Sequence, residues 1–433
     1  MNRRVFIKNN SKIALGAVIV PFTDLFNSSK FNITVNQITG GENHHFFGYI
    51  GQSLTIPWNY NGDKILCMSS PFHDHLPSTN EAAAIAIIDP NVKSGEFNKI
   101  EKLDESLGWN HQQGTMFYWN PDAAQDQFFF NDRDPKTGVV FTVCYDVNKR
   151  KRIKEYRYGH RSFGNSGVCP LGKSFLGINY ARMARLRPVT GYKNTTDWTT
   201  GVNAPKDDGI IHIDIKTGKK KMLVSFEQMA AKLEKNGFQA KGRNLFINHT
   251  LWNRTGEWIY FFVRAGWKSD KDGKEALNAA CSIKVDGTNF TAGHSHIGGH
   301  PEWGNGTEII GSQNGRQVVY DILSKEIVRT IGDEISFPDP SGDVSLSPDS
   351  KLFVNGYSLN GKNHYTIFDL NSKEWTNTPE FNTGIYKKDL RIDPAPRWNR
   401  ESNQLLVSGL DKNGIRQLFV ISIEQSKTTE RLL

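Results

Sequence analysis

Two histidines and an aspartate occupy similar places in three consecutive segments of this 433-residue chain. His249 lies in Asn-His-Thr-Leu-Trp, His300 lies in Gly-His-Pro-Glu-Trp, and Asp343 comes shortly before a Ser-Pro-Asp turn. If the segments are copies of one structural unit, the three side chains fall on one ring. Imidazole nitrogens and carboxylates are common ligands of divalent metals. We therefore expect His249, His300 and Asp343 to hold a metal ion or, alternatively, to form a charged ring that binds substrate.

A second group combines arginines with tyrosines. It contains Tyr180, Arg182, Arg185 and Tyr192. An arginine guanidinium binds a carboxylate or a sulfate in a planar, bidentate manner. A phenol can act as an acid or a base once neighbouring cations lower its pKa. The group predicts an anion-binding site with a proton-transfer residue, and an arginine-rich surface loop is the alternative.

Three further stretches mix amides, charges and aromatic rings where a core strand would carry plain apolar side chains. They supply the candidate substrate-binding residues His111, Gln112, Asn131, Arg133 and Arg391. The chain has no serine nucleophile elbow, no Walker loop, no His-Glu-x-x-His motif and no dinucleotide fingerprint. The enzyme classes that those motifs define are therefore not indicated.

The charge balance favours an anionic partner. Lys and Arg number 53 against 45 Asp and Glu, which gives a net charge of +8. The compact basic runs, residues 149–152 and 219–221, each follow a strand-like run and are typical of solvated hairpin turns. We therefore do not expect a nucleic-acid partner.

The elements that must position these residues come from an internal repeat. Each copy has an aromatic or apolar residue, a turn rich in Asn, Gly or Asp, and then an apolar strand. Seven copies begin at Trp58, Trp119, Pro170, Trp252, Trp303, Leu346 and Trp398. Small sheets repeated in this way are typical of β-propeller blades. The sequence predicts an all-β, seven-bladed β-propeller that forms one catalytic domain over residues 31–433, with a short helix near 227–236. A β-sandwich or two all-β domains is the alternative.

The N-terminus has the pattern of an export signal. Arg3 and Arg4 open a basic segment, which is followed by the uncharged apolar run 13–22. This order is typical of a signal peptide, here of the twin-arginine type. We predict a signal peptide over residues 1–30, a periplasmic or secreted protein and no membrane span. A buried N-terminal helix is the alternative.

The four cysteines are far apart in the sequence. Cys67, Cys144, Cys169 and Cys281 form no Cys-x-x-Cys pair, which argues against a zinc knuckle or a redox motif. We expect buried single thiols, although disulfides are compatible with export.

Four runs together resemble one enzyme family. They are Trp-Asn-x-Gln-Gln-Gly at 109–114, Asn-Asp-Arg at 131–133, Asn-Tyr-Ala-Arg-x-Ala-Arg-Leu-Arg-Pro at 179–188 and Arg-x-Asp-x-x-Pro-Arg-Trp at 391–398. As a set they resemble the seven-bladed propeller polysaccharide lyases, most closely the ulvan lyases, over most of the chain. The oligogalacturonate lyases share this architecture. The resemblance implies β-elimination at a uronic acid of an anionic polysaccharide, which leaves an unsaturated uronate end.

The resemblance also implies catalytic roles. Tyr180 or Tyr192 is expected as acid or base, and His249 as base or as neutraliser of the substrate charge. Arg185 and Arg182 are expected at the uronate carboxylate. The relatives further imply a divalent metal, such as zinc, manganese or calcium, in a structural or substrate-binding role.

One departure from the family pattern concerns the substrate-holding residues Gln112 and Asn131. Some ulvan lyases carry His where one of these two residues aligns. If so, base catalysis moves to a tyrosine, to His249 or to His111, or the enzyme prefers another uronate.

Other functions remain open at this level. One is an oligogalacturonate lyase with a substrate-binding divalent metal. Another is a non-enzymatic exported propeller that binds sugar or protein, because propellers host many functions. A metal-dependent hydrolase or lactonase is a third. We expect a monomer in each case.

Overall fold

The structure is a computed structural model that describes residues 31–48, 54–93, 95–97, 100–267, 273–384 and 386–425. The predicted signal peptide, residues 1–30, lies outside the described residues, so export stays a prediction. Within the described part of the chain, no helix is long and apolar enough to cross a membrane.

The first strand, β1, pairs with the last strand of the described chain. The next sixteen strands form four consecutive blades. Each of these blades is a four-stranded antiparallel sheet: β2–β5, β6–β9, β10–β13 and β14–β17. The strands are β1 (Phe31–Gln37), β2 (His44–Phe46), β3 (Ile65–Ser70), β4 (Ala83–Ile88), β5 (Ile100–Ser106), β6 (Tyr118–Trp119), β7 (Gln127–Arg133), β8 (Val140–Asp146), β9 (Lys151–Tyr156), β10 (Phe163–Val168), β11 (Ser174–Asn179), β12 (Gly209–Asp214), β13 (Lys220–Ser225), β14 (Phe246–Trp252), β15 (Trp258–Ala265), β16 (Leu277–Lys284) and β17 (Thr291–His294).

The next nine strands form one larger sheet, called here the double sheet. Its strands are β18 (Gly298–Trp303), β19 (Glu308–Gln313), β20 (Arg316–Asp321), β21 (Glu326–Ile331), β22 (Asp343–Leu346), β23 (Leu352–Leu359), β24 (Lys362–Asp369), β25 (Trp375–Asn377) and β26 (Phe381–Asn382). They run in the order β21-β20-β19-β18-β22-β23-β24-β25, and β26 pairs with β24. The link between β18 and β22 is parallel and rests on one residue pair, His300 and Asp343.

The last blade closes the ring. It consists of β27 (Arg397–Trp398), β28 (Gln404–Leu410) and β29 (Arg416–Gln425), with β1 added at its outer edge. The β1–β29 register runs without a shift from Phe31 opposite Gln425 to Gln37 opposite Phe419. The two ends of the described chain therefore complete a single sheet.

The fold is an all-β propeller, as predicted, but the predicted count of seven separate blades is wrong. Five four-stranded sheets stand as separate blades. The parallel link between His300 and Asp343 merges two antiparallel units into the double sheet. A backbone contact of this kind leaves no mark in the pattern of apolar residues.

Burial follows the position of each strand within its sheet. The middle strands β8 and β15 are buried along their whole length, and they are mostly apolar because neighbouring sheets cover both faces. The outer strands β9 and β21 carry mostly exposed or half-buried residues. The core therefore lies between adjacent sheets.

The predicted repeat is present as a repeated turn. The backbone N–H of Asn253 donates to the carbonyl of Trp258 at 2.9 Å, and Asn399 donates to Gln404 at 2.9 Å. The side-chain oxygen of Asn253 also accepts from the backbone N–H of Trp258 at 3.0 Å. An Asn side chain that mimics the backbone in this way stabilises a tight turn, which explains the Trp-Asn pairs of the sequence.

The tryptophan before such a turn fastens its blade to the preceding unit. Four indole N–H groups donate to carbonyls there: Trp119 to Pro57 at 2.7 Å, Trp252 to Gly167 at 2.9 Å, Trp303 to Leu251 at 2.7 Å and Trp398 to Ser345 at 3.2 Å. Trp58 has the same place in blade β2–β5, but its buried Nε1 has no hydrogen-bond partner within the described residues.

Two helices are inserted between strands. Helix α1 (Tyr180–Leu186) follows β11, and helix α2 (Phe226–Lys235) follows β13 close to the expected short helix. A capping box fixes the start of α2, since Gln228 N donates to Ser225 Oγ at 3.2 Å and Ser225 N donates to Gln228 Oε1 at 2.9 Å.

The four cysteines are buried free thiols, as expected. Burial raises the pKa of Cys144 and of Cys281, each to about 12. These groups are therefore neutral, poorly reactive core residues.

Candidate active site

The predicted His and Asp ring meets where β18 pairs with β22. His300 lies near the start of β18, Asp343 opens β22, and the two are direct register partners. Nδ1 of His300 contacts Oδ1 of Asp343 in a hydrogen bond. The second carboxylate oxygen, Oδ2, accepts from the backbone N–H of Ala395 at 2.9 Å. The carboxylate thus fixes both the orientation and the tautomer of the imidazole.

Asp343 remains a carboxylate despite its burial. Its side chain is 4% exposed, against 29% for that of His300. Burial acts to raise the pKa of Asp343, but the charge and the hydrogen bond of His300 outweigh it and hold this pKa below its usual range. The pair therefore joins a buried anion to a half-exposed ring.

His249 completes the predicted ring from a strained position. Its ring centroid lies 5.4 Å from that of His300. The backbone φ of His249 is +59°, in the left-handed region, where β14 has a register shift between Asn248 and Leu251. Burial first, and then the nearby charge of His300, place the pKa of His249 well below its usual value. Such strain recurs at functional sites.

A cavity of about 300 Å³ opens beside this pair and is called here the mouth cavity. The double sheet and the segment before β27 form its walls. The lining residues are Gly299, His300, Asp339, Ser341, Gly342, Asp343, Tyr357, Ser358, Arg391, Asp393 and Pro394. The cavity is therefore a polar one that carries both signs of charge.

Arg391, predicted as a substrate-binding residue, lines the mouth cavity. Its Nε donates to Asp393 Oδ1 at 2.7 Å, and its Nη1 donates to the Lys388 carbonyl at 3.2 Å. With the amide of Gln112 turned so that its oxygen faces the guanidinium, this oxygen accepts from Arg391 Nη1 at 2.7 Å. Burial raises the pKa of Asp393 against the opposing charge of Arg391. Gln112 and Arg391, which the sequence had placed in two separate stretches, therefore lie in contact.

The predicted metal set does not fit a metal ion as it stands. Within the described residues, no group of three or more His, Cys, Asp or Glu side chains is arranged to hold one. Both oxygens of Asp343 already accept hydrogen bonds, one from His300 and one from Ala395. We therefore assign no step to a metal at this site.

The predicted acid–base tyrosines lie in the core. Tyr180 and Tyr192 are 1% and 0% exposed, and their rings stack at 4.5 Å. The Tyr180 phenol donates to the Asn165 carbonyl at 3.1 Å, and the Tyr192 oxygen accepts from Asn131 Nδ2 at 3.1 Å. Burial raises the pKa of both phenols. These groups are placed as packing and hydrogen-bonding residues, and Asn131 is buried with them.

Two predicted arginines make internal contacts. Arg182 is 1% exposed and donates to four groups, namely the carbonyls of Leu245, Val202 and Asn203 and the hydroxyl of Thr199. Arg133 is also buried and donates to the Thr79 carbonyl. Both arginines hold loop segments through these hydrogen bonds, and neither is among the residues that line the mouth cavity.

Arg185 is only partly buried. Its Nε pairs with Asp197 Oδ2 at 2.9 Å. Asp197 also accepts from the backbone N–H of Thr199 at 2.9 Å and from Asn179 Nδ2 at 3.1 Å. The ion pair thus braces the loop that follows α1.

His111 belongs to a separate cluster of aromatic rings. Its ring lies 4.3 Å from that of His73, which in turn lies 4.4 Å from Tyr386 and 5.6 Å from His44. His111 Nε2 is paired with the His75 carbonyl at 2.8 Å. Burial lowers the pKa of His111 to about 3 and that of His44 to about 4. The cluster therefore holds neutral imidazoles.

Two residues of the mouth cavity had escaped assignment from the sequence. Arg187, the C-cap residue of α1, is not among the lining residues, and burial and the charge of Arg391 lower its pKa to about 10. Asp393 stands inside the Arg-x-Asp motif, where pairing with Arg391 was a readable signal. Tyr357 carried no signal, because it comes from the ordinary strand β23.

No protein-family model and no curated protein matches this chain. Among solved structures, the chain is similar to the β-propeller domain of Cps50 (Swd1) from Myceliophteria thermophila. The identity is 11% and the TM-score is 0.44, over 91% of this chain and 100% of the other.

Proposed function

We propose that this protein is a polysaccharide lyase that cleaves a uronate-containing, ulvan-like polysaccharide by β-elimination. The observation that carries the proposal is the His300–Asp343 pair on the wall of the mouth cavity, with Arg391 on the same wall. The reacting pair spans the junction between β18 and β22, where the two antiparallel units of the double sheet meet.

The proposed reaction needs a cation at the carboxylate and a base at C5. Arg391, which lines the cavity, supplies positive charge, which stabilises the carbanion-like state that forms when the C5 proton leaves. Because Nδ1 of His300 is engaged by Asp343, Nε2 is the atom that takes the proton. The C5–H electron pair becomes the C4=C5 double bond, and the C4–O bond to the next sugar breaks.

The leaving oxygen requires a proton donor. Tyr357 lines the same cavity, and its ring stacks on that of His364 at 5.1 Å. Burial raises the pKa of Tyr357, so the phenol is protonated at neutral pH and suited to an acid role. We assign the acid to Tyr357 in place of Tyr180 or Tyr192, whose phenols are buried.

The proposal includes export, since a polysaccharide lies outside the cytoplasm. It depends on the twin-arginine pattern at Arg3 and Arg4. Fusing residues 1–30 to a reporter that is active only after export tests this part by itself.

The test is the ultraviolet absorbance of unsaturated uronate, followed with the full chain on ulvan, polygalacturonate, alginate and glycosaminoglycans, each with and without chelator. We expect a rise on ulvan that His300→Ala abolishes. A rise on oligogalacturonate alone, lost with chelator, would instead indicate the oligogalacturonate lyase. Sugar binding without any rise would indicate a non-enzymatic propeller and overturn the proton-transfer roles.

Arg329→Gln is a matched control for this assay. Arg329 lies on the exposed outer strand β21 and pairs with Glu308 of β19. It is not among the residues that line the mouth cavity. We expect this variant to keep the full rate. A loss as large as that of His300→Ala would show that the assay reports general damage to the fold.

A further inference from the structure

A second cavity, of about 280 Å³, lies at the ends of strands β6 and β10, beside the turns that follow β22 and β27. His300 lies towards the start of β18 and Trp303 at its end, so the mouth cavity and the Trp-Asn turns belong to opposite faces of the propeller. The second cavity is lined by residues at strand ends and in these turns, including Trp119, Val168 and Arg400. We call it the turn-face pocket.

The walls of the turn-face pocket are mainly apolar. They include Ile56, Trp119, Val168 and the three prolines Pro121, Pro170 and Pro348. Apolar and aromatic walls with a few polar groups are typical of sites for small molecules. The mouth cavity, by contrast, is lined mainly by polar and charged residues, so the two cavities suit different ligands.

One cation stands in this wall at a fixed position. Arg400 Nε donates to the Asn59 carbonyl at 3.0 Å, and its Nη2 donates to the Trp58 carbonyl at 3.4 Å. The adjacent Glu401 accepts from Asn399 Nδ2 at 3.1 Å. The guanidinium of Arg400 is thus held by two carbonyls of blade β2–β5. The neighbouring carboxylate of Glu401 already accepts a hydrogen bond from Asn399.

A buried hydroxyl in the same lining has only a poorly aligned partner. Tyr118 is 5% exposed, and its phenol faces the Thr55 side chain without a hydrogen bond of ordinary geometry within the described residues. A buried polar group without a well-aligned partner destabilises a fold. A ligand oxygen or a water that accepts from this phenol would relieve that cost.

We propose that the turn-face pocket binds a small amphiphilic anion, namely an apolar ring or short chain that carries one carboxylate. Its apolar part packs on Trp119, Val168 and the prolines. Its carboxylate pairs with Arg400 and accepts from the Tyr118 phenol. This site is separate from the proposed lyase site and does not depend on it.

The test is a saturation-transfer NMR titration of the full chain with phenylacetate and with the neutral isostere phenylacetamide. We expect saturable binding of phenylacetate and at least tenfold weaker binding of the amide, because a charge-assisted pair contributes about 1.5–3 kcal/mol. No saturable signal, or equal binding of the two probes, would overturn the proposal.

Two variants locate the binding. Arg400→Gln should weaken phenylacetate binding about tenfold and leave phenylacetamide unchanged. Val168→Phe should fill the pocket and abolish the binding of both probes, which keeps the test decisive if Arg400→Gln does not fold. His300→Ala should change neither. If phenylacetate binds Val168→Phe as it binds the parent protein, the pocket is not the site.

Discussion

His300 and Asp343 are joined twice, once through the backbone and once through their side chains. They are the register partners that link β18 to β22, and His300 Nδ1 is hydrogen-bonded to Asp343 Oδ1. The contact that merges two antiparallel units into one sheet is therefore also the contact that orients the proposed base.

Replacing Asp343 should impair proton transfer while substrate still binds. Asp343→Asn keeps the shape of the side chain but removes the charge that orients His300 and stabilises its protonated form. We expect kcat to fall about 10²–10⁴-fold with little change in KM. Initial rates of unsaturated-uronate release on ulvan give both values. An unchanged kcat would remove the pair from the mechanism.

The buried tyrosines should affect stability rather than turnover. Tyr180→Phe removes a phenol that donates to the Asn165 carbonyl, so the free energy of unfolding should fall by about 1 kcal/mol. Urea unfolding measures this change. A thousandfold loss of lyase activity at unchanged stability would instead return Tyr180 to the catalytic role that the family resemblance implies.

The tryptophan of the repeated turn should stabilise the ring through its indole N–H. Trp252→Phe leaves the Gly167 carbonyl without its donor, whereas the equally buried Trp58 has no such bond to lose. We expect Trp252→Phe to lower the free energy of unfolding by about 1–2 kcal/mol more than Trp58→Phe. Paired denaturant curves test the difference, and equal losses would contradict it.

Acid should destabilise the fold through its buried histidines. The pKa of His44 is lowered to about 4 and that of His111 to about 3, mainly by burial. The unfolded state binds these protons near pH 6.5, so stability is present above that pH and is lost as pH falls towards 4. The expected slope is about 1.4 kcal/mol per pH unit for each proton taken up.

One acid opposes this trend. Burial raises the pKa of Asp208 to about 7, so its folded form holds a proton that the unfolded form releases. Asp208→Asn should therefore steepen the loss of stability between pH 7 and pH 4. Urea midpoints across this range test both statements. A midpoint that does not move in the parent protein would mean that the imidazoles are not buried in neutral form.

The turns were predictable from sequence because each needs the same local chemistry. A Trp-Asn pair supplies an indole and an amide that closes the turn, and the pair is present at four of the seven copies, those that begin at Trp58, Trp119, Trp252 and Trp398. The proximity of His249, His300 and Asp343 followed from their similar positions in three consecutive repeat units. The single parallel pairing that merges two units was not predictable, because it requires only backbone groups.

The arginines of the run 182–187 differ in what they contact. Arg182 and Arg185 lie within α1, whereas Arg187 is its C-cap residue. The first two face loop carbonyls and Asp197, and the charge of the third acts on Arg391. A sequence run shows three arginines but not the residue at which the helix ends, and the end of the helix decides in which direction each of them extends.

The shared last blade sets the order in which the molecule can be completed. Phe31 is paired with Gln425, so a ribosome must synthesise the whole described chain before the first strand finds its partner. The ring therefore closes late, through contacts of very long sequence separation, and such contacts form slowly. The pairing of β1 with β29 also places the two ends of the described chain side by side. A short peptide between them would preserve the sheet and allow new termini to be opened at an exposed turn.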